Sequence, residues 1–284
     1  MSDGALCERT RAVIDGVDWP CEVLRNYADA NMGCGKRVSS GLDWAFAQVD
    51  EAIILEDDCL PDPSFFPFCD ELLERYRGDD RVMMISGDNF QNGALRTSDS
   101  YYFSRIPHCW GWATWRRAWR RYDFNMTGWP QRRQARWLKP IARHLALERD
   151  WTASFDNTMS GNIDTWDYQW MYCMFVHGGL SVAPNVNLIT NIGLGAGTHT
   201  EITYDERFDV GRRAMEFPLL HPAAVTPCEK ADDFERNYIY LYRLSPLSDR
   251  IRLGLRSLLR PLRPCLEPIG LWSALRALAI KLRV

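Results

Sequence analysis

Residues 52–58 read Ala-Ile-Ile-Leu-Glu-Asp-Asp, a short apolar run that ends in three carboxylates, Glu56, Asp57 and Asp58. Adjacent carboxylates repel, which raises the pKa of at least one of them unless a cation is shared between them. Oxygen-only ligands suit Mg²⁺ or Mn²⁺, and such an ion keeps positions open for phosphate oxygens. The same residues also read as a solvated acidic turn capping the helix expected from Pro63. Downstream, Asp167 lies among aromatics in Thr165-Trp166-Asp167-Tyr168-Gln169-Trp170, where apolar surroundings make a carboxylate a candidate base. Asp164 reads as an ordinary helix N-cap or as a second functional acid. His199 follows Gly193, Gly195 and Gly197; it is either incidental to a flexible loop or a further ligand closing over a metal-bound diphosphate. In Trp110-Gly111-Trp112 the glycine permits close backbone approach, and the two indoles are either core or a platform for a sugar. Trp115 and Trp119 read as core.

These groups need strands and helices to position them. Ala52–Leu55 is short, β-branched and followed by a proline turn, which predicts a strand covered on both faces. Further strands are expected at Cys21–Arg25, Arg81–Ser86, Tyr101–Phe103, Leu180–Ala183 and Val186–Ile189. Helices are expected over Ala5–Ile14, over Arg37–Val49, from Pro63 through Tyr76 and from Asp164 to Val176, with a basic helix or excursion over Arg132–Arg149. Strands alternating with helices predict an α/β fold with a mainly parallel sheet covered on both faces, whose ligands bind beyond the strands' carboxyl ends.

The net charge of -3 hides an uneven distribution: Arg116–Arg149 carries ten Arg or Lys against two acids. A basic segment facing an acidic metal site suits a polyanionic substrate such as a nucleoside diphosphate. Nine cysteines, an odd number with no CxxC spacing, argue against zinc and for reduced thiols in a cytoplasmic protein. From Arg243 to Val284 nine basic residues accompany Leu and Ile, as in a docked helix pair or a tail lying on an anionic membrane surface.

Taken in order, Leu55-Glu56-Asp57-Asp58 with Phe65-Phe66, Ser86-Gly87, Trp110-Gly111-Trp112, Thr165–Trp170, and Asn191-Ile192-Gly193 with Gly197-Thr198-His199 resemble nucleotide-sugar glycosyltransferases of the GT-A type. The likeness is to bacterial family 2 proteins and to the N-acetylglucosaminyltransferases of family 13, over about residues 1–205. The resemblance implies a GT-A (Rossmann-like) domain over 1–220, with the basic amphipathic helical tail, read from its own residues, placed over 235–284. It implies a metal-dependent, inverting transfer from a nucleotide-diphosphate sugar, most readily a UDP-sugar, to a hydroxyl of a glycan, lipid-linked or protein acceptor in bacterial glycan synthesis. Nucleic acid is not an expected partner. Asp58 would bind Mn²⁺ or Mg²⁺, with His199 a further ligand. Glu56 and Asp57 would orient ribose, sugar or metal-bound water. Asp167 would be the base, with Asp164 in reserve. Asn31, Lys36 and Arg37 resemble positions that meet the nucleotide or diphosphate, and Asp3-Gly4 an Asp-Gly that follows the family's first strand and helix. That first unit is expected to be missing, which leaves a truncated, inactive binding module as an alternative; carboxylates on strand ends also suit a metal-dependent nucleotidyltransferase.

Overall fold

The computed structural model describes residues 3–193, 207, 208 and 210–241. The chain forms two compact units, Met1–Asn31 and Met32–Val284. The first holds α1 (Asp3–Val13) and a 3₁₀ turn, Ile14–Gly16. Cys21–Arg25 forms no strand and is exposed. An extended segment becomes a strand only with a ladder partner, and the described residues of this unit supply none.

The second unit begins with α2 (Cys34–Gln48), β1 (Glu51–Ile54), β2 (Cys59–Pro61), α3 (Phe65–Tyr76) and β3 (Val82–Ser86). It continues with β4 (Tyr101–Ser104), β5 (Trp112–Trp115), α4 (Arg116–Trp119), α5 (Trp129–Gln134), α6 (Lys139–Ala142) and α7 (Leu145–Met159). It closes with α8 (Asp167–His177), β6 (Leu180–Pro184), β7 (Ile189–Asn191), α9 (Glu229–Glu235) and a π-helical turn, Arg236–Leu241. Five strands make one sheet in the order β1-β5-β3-β6-β4, and β2 pairs with β7.

The fold is mixed α/β, but the sheet is not mainly parallel. Only β3 and β6 form a parallel pair; β1·β5, β3·β5 and β4·β6 are antiparallel. The cause is β5, which inserts between β1 and β3 and runs against both, while β4 reverses at the far edge. β1, β3 and β6 therefore still share one direction. Their carboxyl ends, and the turn entering β5, meet at one edge of the sheet.

Both faces of the sheet are covered. α3 presents Phe65, Phe68, Cys69, Leu72, Leu73 and Tyr76 at helical spacing and packs them with Val82, Ile85, Phe103 and Val182, each such side chain contributing about 1.5–3 kcal/mol on burial. On the other face Leu42 and Phe46 of α2 pack with Met83, Met84, Trp112 and the α8 residues Trp170, Cys173 and Met174. α8 is buried nearly all round, because Met171, Tyr172 and Phe175 face a third cluster with Trp129, Trp151 and Phe155 of α5 and α7. The basic stretch over 132–149 is broken into short helices, and its Arg133 and Arg136 are ion-paired to Asp156 and Glu148 of α7.

Residues 235–241, expected in the tail, include buried Glu235, Arg236 and Ile239; residues 242–284 lie outside the described residues. No helix among the described residues is long and apolar enough to cross a membrane. The eight cysteines among them are unpaired.

Candidate functional site

The acidic triplet leaves β1 in a turn closed by the Cys59 N–H donating to the Glu56 carbonyl at 3.1 Å. β2 then pairs Cys59 with Asn191, and the Ile192 N–H donates to the Asp58 carbonyl at 2.8 Å. Gly193 sits so close that a Cβ there would lie 2.6 Å from Asp58 Oδ2. The start of the glycine-rich segment is thereby fastened to Asp58. His199 lies outside the described residues.

Asp57 is exposed, while Glu56 and Asp58 are half-buried. Burial, then Asp58, push the Glu56 carboxyl up to about 6, with Asp167 and Asp57 adding to the rise and a Trp166 hydrogen bond opposing it. The Cys34 thiol, at the first turn of α2, is pushed up to about 11 by burial and then by Glu56, Asp167 and Asp164. Acids distant in sequence therefore gather at the carboxyl edge, around the amino ends of α2 and α8.

Asp167 opens α8. Its Oδ1 accepts the Tyr168 N–H at 2.8 Å and the Thr165 hydroxyl; no hydrogen bond reaches Oδ2 from the described residues. Asp164 is used differently. Its two oxygens accept the Cys34 N–H at 2.8 Å and the Gly35 N–H at 2.9 Å, capping α2 from 130 residues away. Gly33 has φ +76°, and a Cβ there would lie 2.2 Å from Asp164 Oδ2, so only glycine admits this cap. Asp164→Ala is expected to cost about 1 kcal/mol, the usual loss for an N-cap. The measurement is urea denaturation, with a lowered midpoint at unchanged slope; an unchanged midpoint contradicts the capping role.

Lys36 is exposed and Arg37 half-buried in the first turns of α2. Asp3 and Asn31 belong to the first unit.

Trp112 is core rather than platform. It is fully buried, stacked on Trp166 at 5.4 Å and packed on Trp170 and Trp119. A strand position inside a two-sided sheet leaves its indole no route to a ligand. Gly111 is likewise a packing residue: φ is +72°, and a Cβ would lie 2.5 Å from Ile189 and 3.2 Å from Leu55. Trp110 is half-buried, edge-on to Phe90 and Phe208, and it is the indole of the pair that keeps exposed surface.

Asp88 joins the site from outside the motifs named above. It follows β3 as the triplet follows β1, and the Ser86-Gly87-Asp88 strand end was the available signal. Asp88 is 1% exposed, with Oδ2 accepting the Trp110 N–H at 2.9 Å and Oδ1 unpartnered. Burial raises its pKa well above the usual carboxylate range, His108 and the Trp110 N–H opposing this.

Among the described residues no three His, Cys, Asp or Glu side chains form a ligand group for a metal. Glu56 and Asp58, half-buried at the end of β1, are oxygen donors of the kind a hard divalent ion takes when one or two protein carboxylates hold it and phosphate oxygens and water complete its shell. No protein-family model matches the sequence, and no curated protein is detectably similar to it.

Proposed function

We propose that the protein is a metal-dependent glycosyltransferase of the GT-A type that moves a sugar from a nucleotide-diphosphate sugar, a UDP-sugar in the first instance, to an acceptor hydroxyl with inversion. The observation that supports this reading is the gathering of Glu56, Asp57, Asp58 and Asp167 at the carboxyl edge of co-directional strands, expressed in the raised Glu56 carboxyl. Acids crowded to that degree call for a cation, and the edge is where α/β sheets bind ligands.

Asp58 would hold the Mn²⁺ or Mg²⁺, with Glu56 and Asp57 orienting ribose or sugar and His199 a further ligand. When bound, the ion neutralises charge developing on the departing diphosphate. Asp167 accepts the acceptor's hydroxyl proton on Oδ2 while Thr165 and Tyr168 hold Oδ1 in place. The acceptor oxygen forms its bond to the anomeric carbon from the opposite face as the bond to the diphosphate oxygen breaks, which inverts the centre. Lys36 and Arg37 are the candidate nucleotide and diphosphate contacts, Trp110 the candidate sugar contact. The site is assigned to the cytoplasmic side, at the membrane surface where acceptors are lipid-linked.

A donor-binding module without transfer is the second reading. It is favoured by β1 lying at the sheet edge among the described residues, its four residues only half-buried. Product analysis separates the readings. Incubation with UDP-sugars, Mn²⁺ and a mixed acceptor pool is expected to release UDP with a glycosylated product. Release of sugar 1-phosphate in place of UDP would indicate nucleotidyl transfer, and binding without UDP release the module.

A further inference from the structure

Between β3, β5 and α9 lies a buried polar cluster that the transfer chemistry does not use. The Ser86 hydroxyl donates to the His108 carbonyl at 2.8 Å and accepts the Asp88 N–H at 3.1 Å. Asp88 in turn accepts the Trp110 N–H, and the Gly87 N–H donates to the Gly111 carbonyl at 2.8 Å. His108 Nε2 meets Glu235 Oε2 at 2.7 Å across 127 residues of sequence, and Gln91 Nε2 donates to Glu235 Oε1 at 2.6 Å. Phe90 packs edge-on against both His108, at 4.8 Å, and Trp110, at 5.4 Å. Every residue from His108 to Gly111 is therefore pinned directly or through a neighbour, and the outermost pin is Glu235, 1% exposed on α9. Burial alone would lower the His108 pKa; Glu235, by charge and hydrogen bond, and Asp88 hold it above its usual value. The His108–Glu235 contact is thus a hydrogen bond shielded from water, where it is stronger than at the surface.

We propose that Glu235 is a positioning residue for sugar recognition: through His108 it fixes the His108–Gly111 turn and so the Trp110 face beside the Glu56–Asp58 edge. This rests on the glycosyl-transfer reading, in which Trp110 meets the donor sugar. An indole can stack on a pyranose only if its plane is held, and Trp110 is held by its backbone and by Phe90 and Phe208. Releasing the turn frees that plane while the nucleotide contacts, carried by other elements, stay in place.

The test compares the full chain with Glu235→Ala and Glu235→Gln. Two quantities are read: hydrogen exchange in peptides spanning residues 106–112, and calorimetric binding of UDP-N-acetylglucosamine and of UDP, both with Mn²⁺. Glu235→Ala is expected to speed exchange at the Trp110 N–H and to weaken UDP-N-acetylglucosamine on the order of tenfold, the size of one hydrogen bond, with UDP unchanged. Glu235→Gln keeps the volume and one acceptor, so it restores most of both; should the alanine variant fail to fold, the glutamine variant carries the same readouts with smaller changes. In a Trp110→Ala background, Glu235→Ala is expected to add no further loss of sugar affinity. Equal weakening of UDP and UDP-N-acetylglucosamine, or additive losses in the double variant, overturns the proposal. Unchanged exchange in Glu235→Ala, with a wild type that binds the donor, overturns the positioning role alone. Absence of donor binding in the wild type overturns the sugar role and the transfer reading together.

Discussion

Asp167→Asn is expected to lower sugar transfer by about 10²–10⁴-fold, the range for losing a general base, while donor binding stays as in the wild type. The substitution is discriminating because the two carboxylate oxygens have separate duties. Oδ1 accepts the Thr165 hydroxyl and the Tyr168 N–H, and an asparagine carbonyl can keep both. Oδ2 becomes an amide nitrogen, which cannot accept a proton. Geometry at the start of α8 is thus preserved and the proton acceptor removed. Single-turnover transfer alongside calorimetric donor binding checks this. Undiminished transfer rejects Asp167 as the base, and lost donor binding would move it to the nucleotide or metal contacts.

Trp112→Ala is expected to destabilise the fold by about 3–5 kcal/mol, as for other buried aromatics cut to alanine. Trp112 is fully buried and touches the rings of Trp119, Trp166 and Trp170, so the void opens at the centre of one face of the sheet. The damage also reaches the site, since Trp166, which opposes the rise of the Glu56 carboxyl, loses its stacking partner. Urea denaturation should show a large drop in midpoint. By contrast Trp110→Ala, at a half-buried ring, is expected to cost far less stability and to act on sugar binding. A Trp112→Ala variant as stable as the wild type would contradict the core assignment.

The strand carrying the acidic triplet, the apolar face of α3 and the helix after Asp167 were legible because each announces itself within ten or so residues. The direction of β5 was not. His108–Trp119 reads as aromatic core whether it is strand or loop, and its insertion between β1 and β3 depends on pairings far along the chain. That strand, with β4 reversed at the far edge, turned an expected parallel sheet into a mixed one. Asp164 shows the same limit: it was correctly seen as capable of capping, but the helix it caps is α2, 130 residues upstream, rather than its own. Asp88 was overlooked because a single acid after a glycine is common; its weight comes from burial and from Trp110 and His108, which only the fold brings to it. The triplet's neighbourhood was legible in kind, as acids needing a counter-charge, while its membership was settled by three-dimensional proximity.

The central claim is that Asp58 binds a nucleotide-diphosphate sugar by way of a divalent ion. Calorimetric titration of UDP-N-acetylglucosamine into the full chain, with Mn²⁺ and with chelator, and the same titration of Asp58→Ala, test it most directly. Binding that requires Mn²⁺ and disappears in Asp58→Ala is predicted; indistinguishable titrations of the two proteins, or affinity unaltered by chelation, would contradict it.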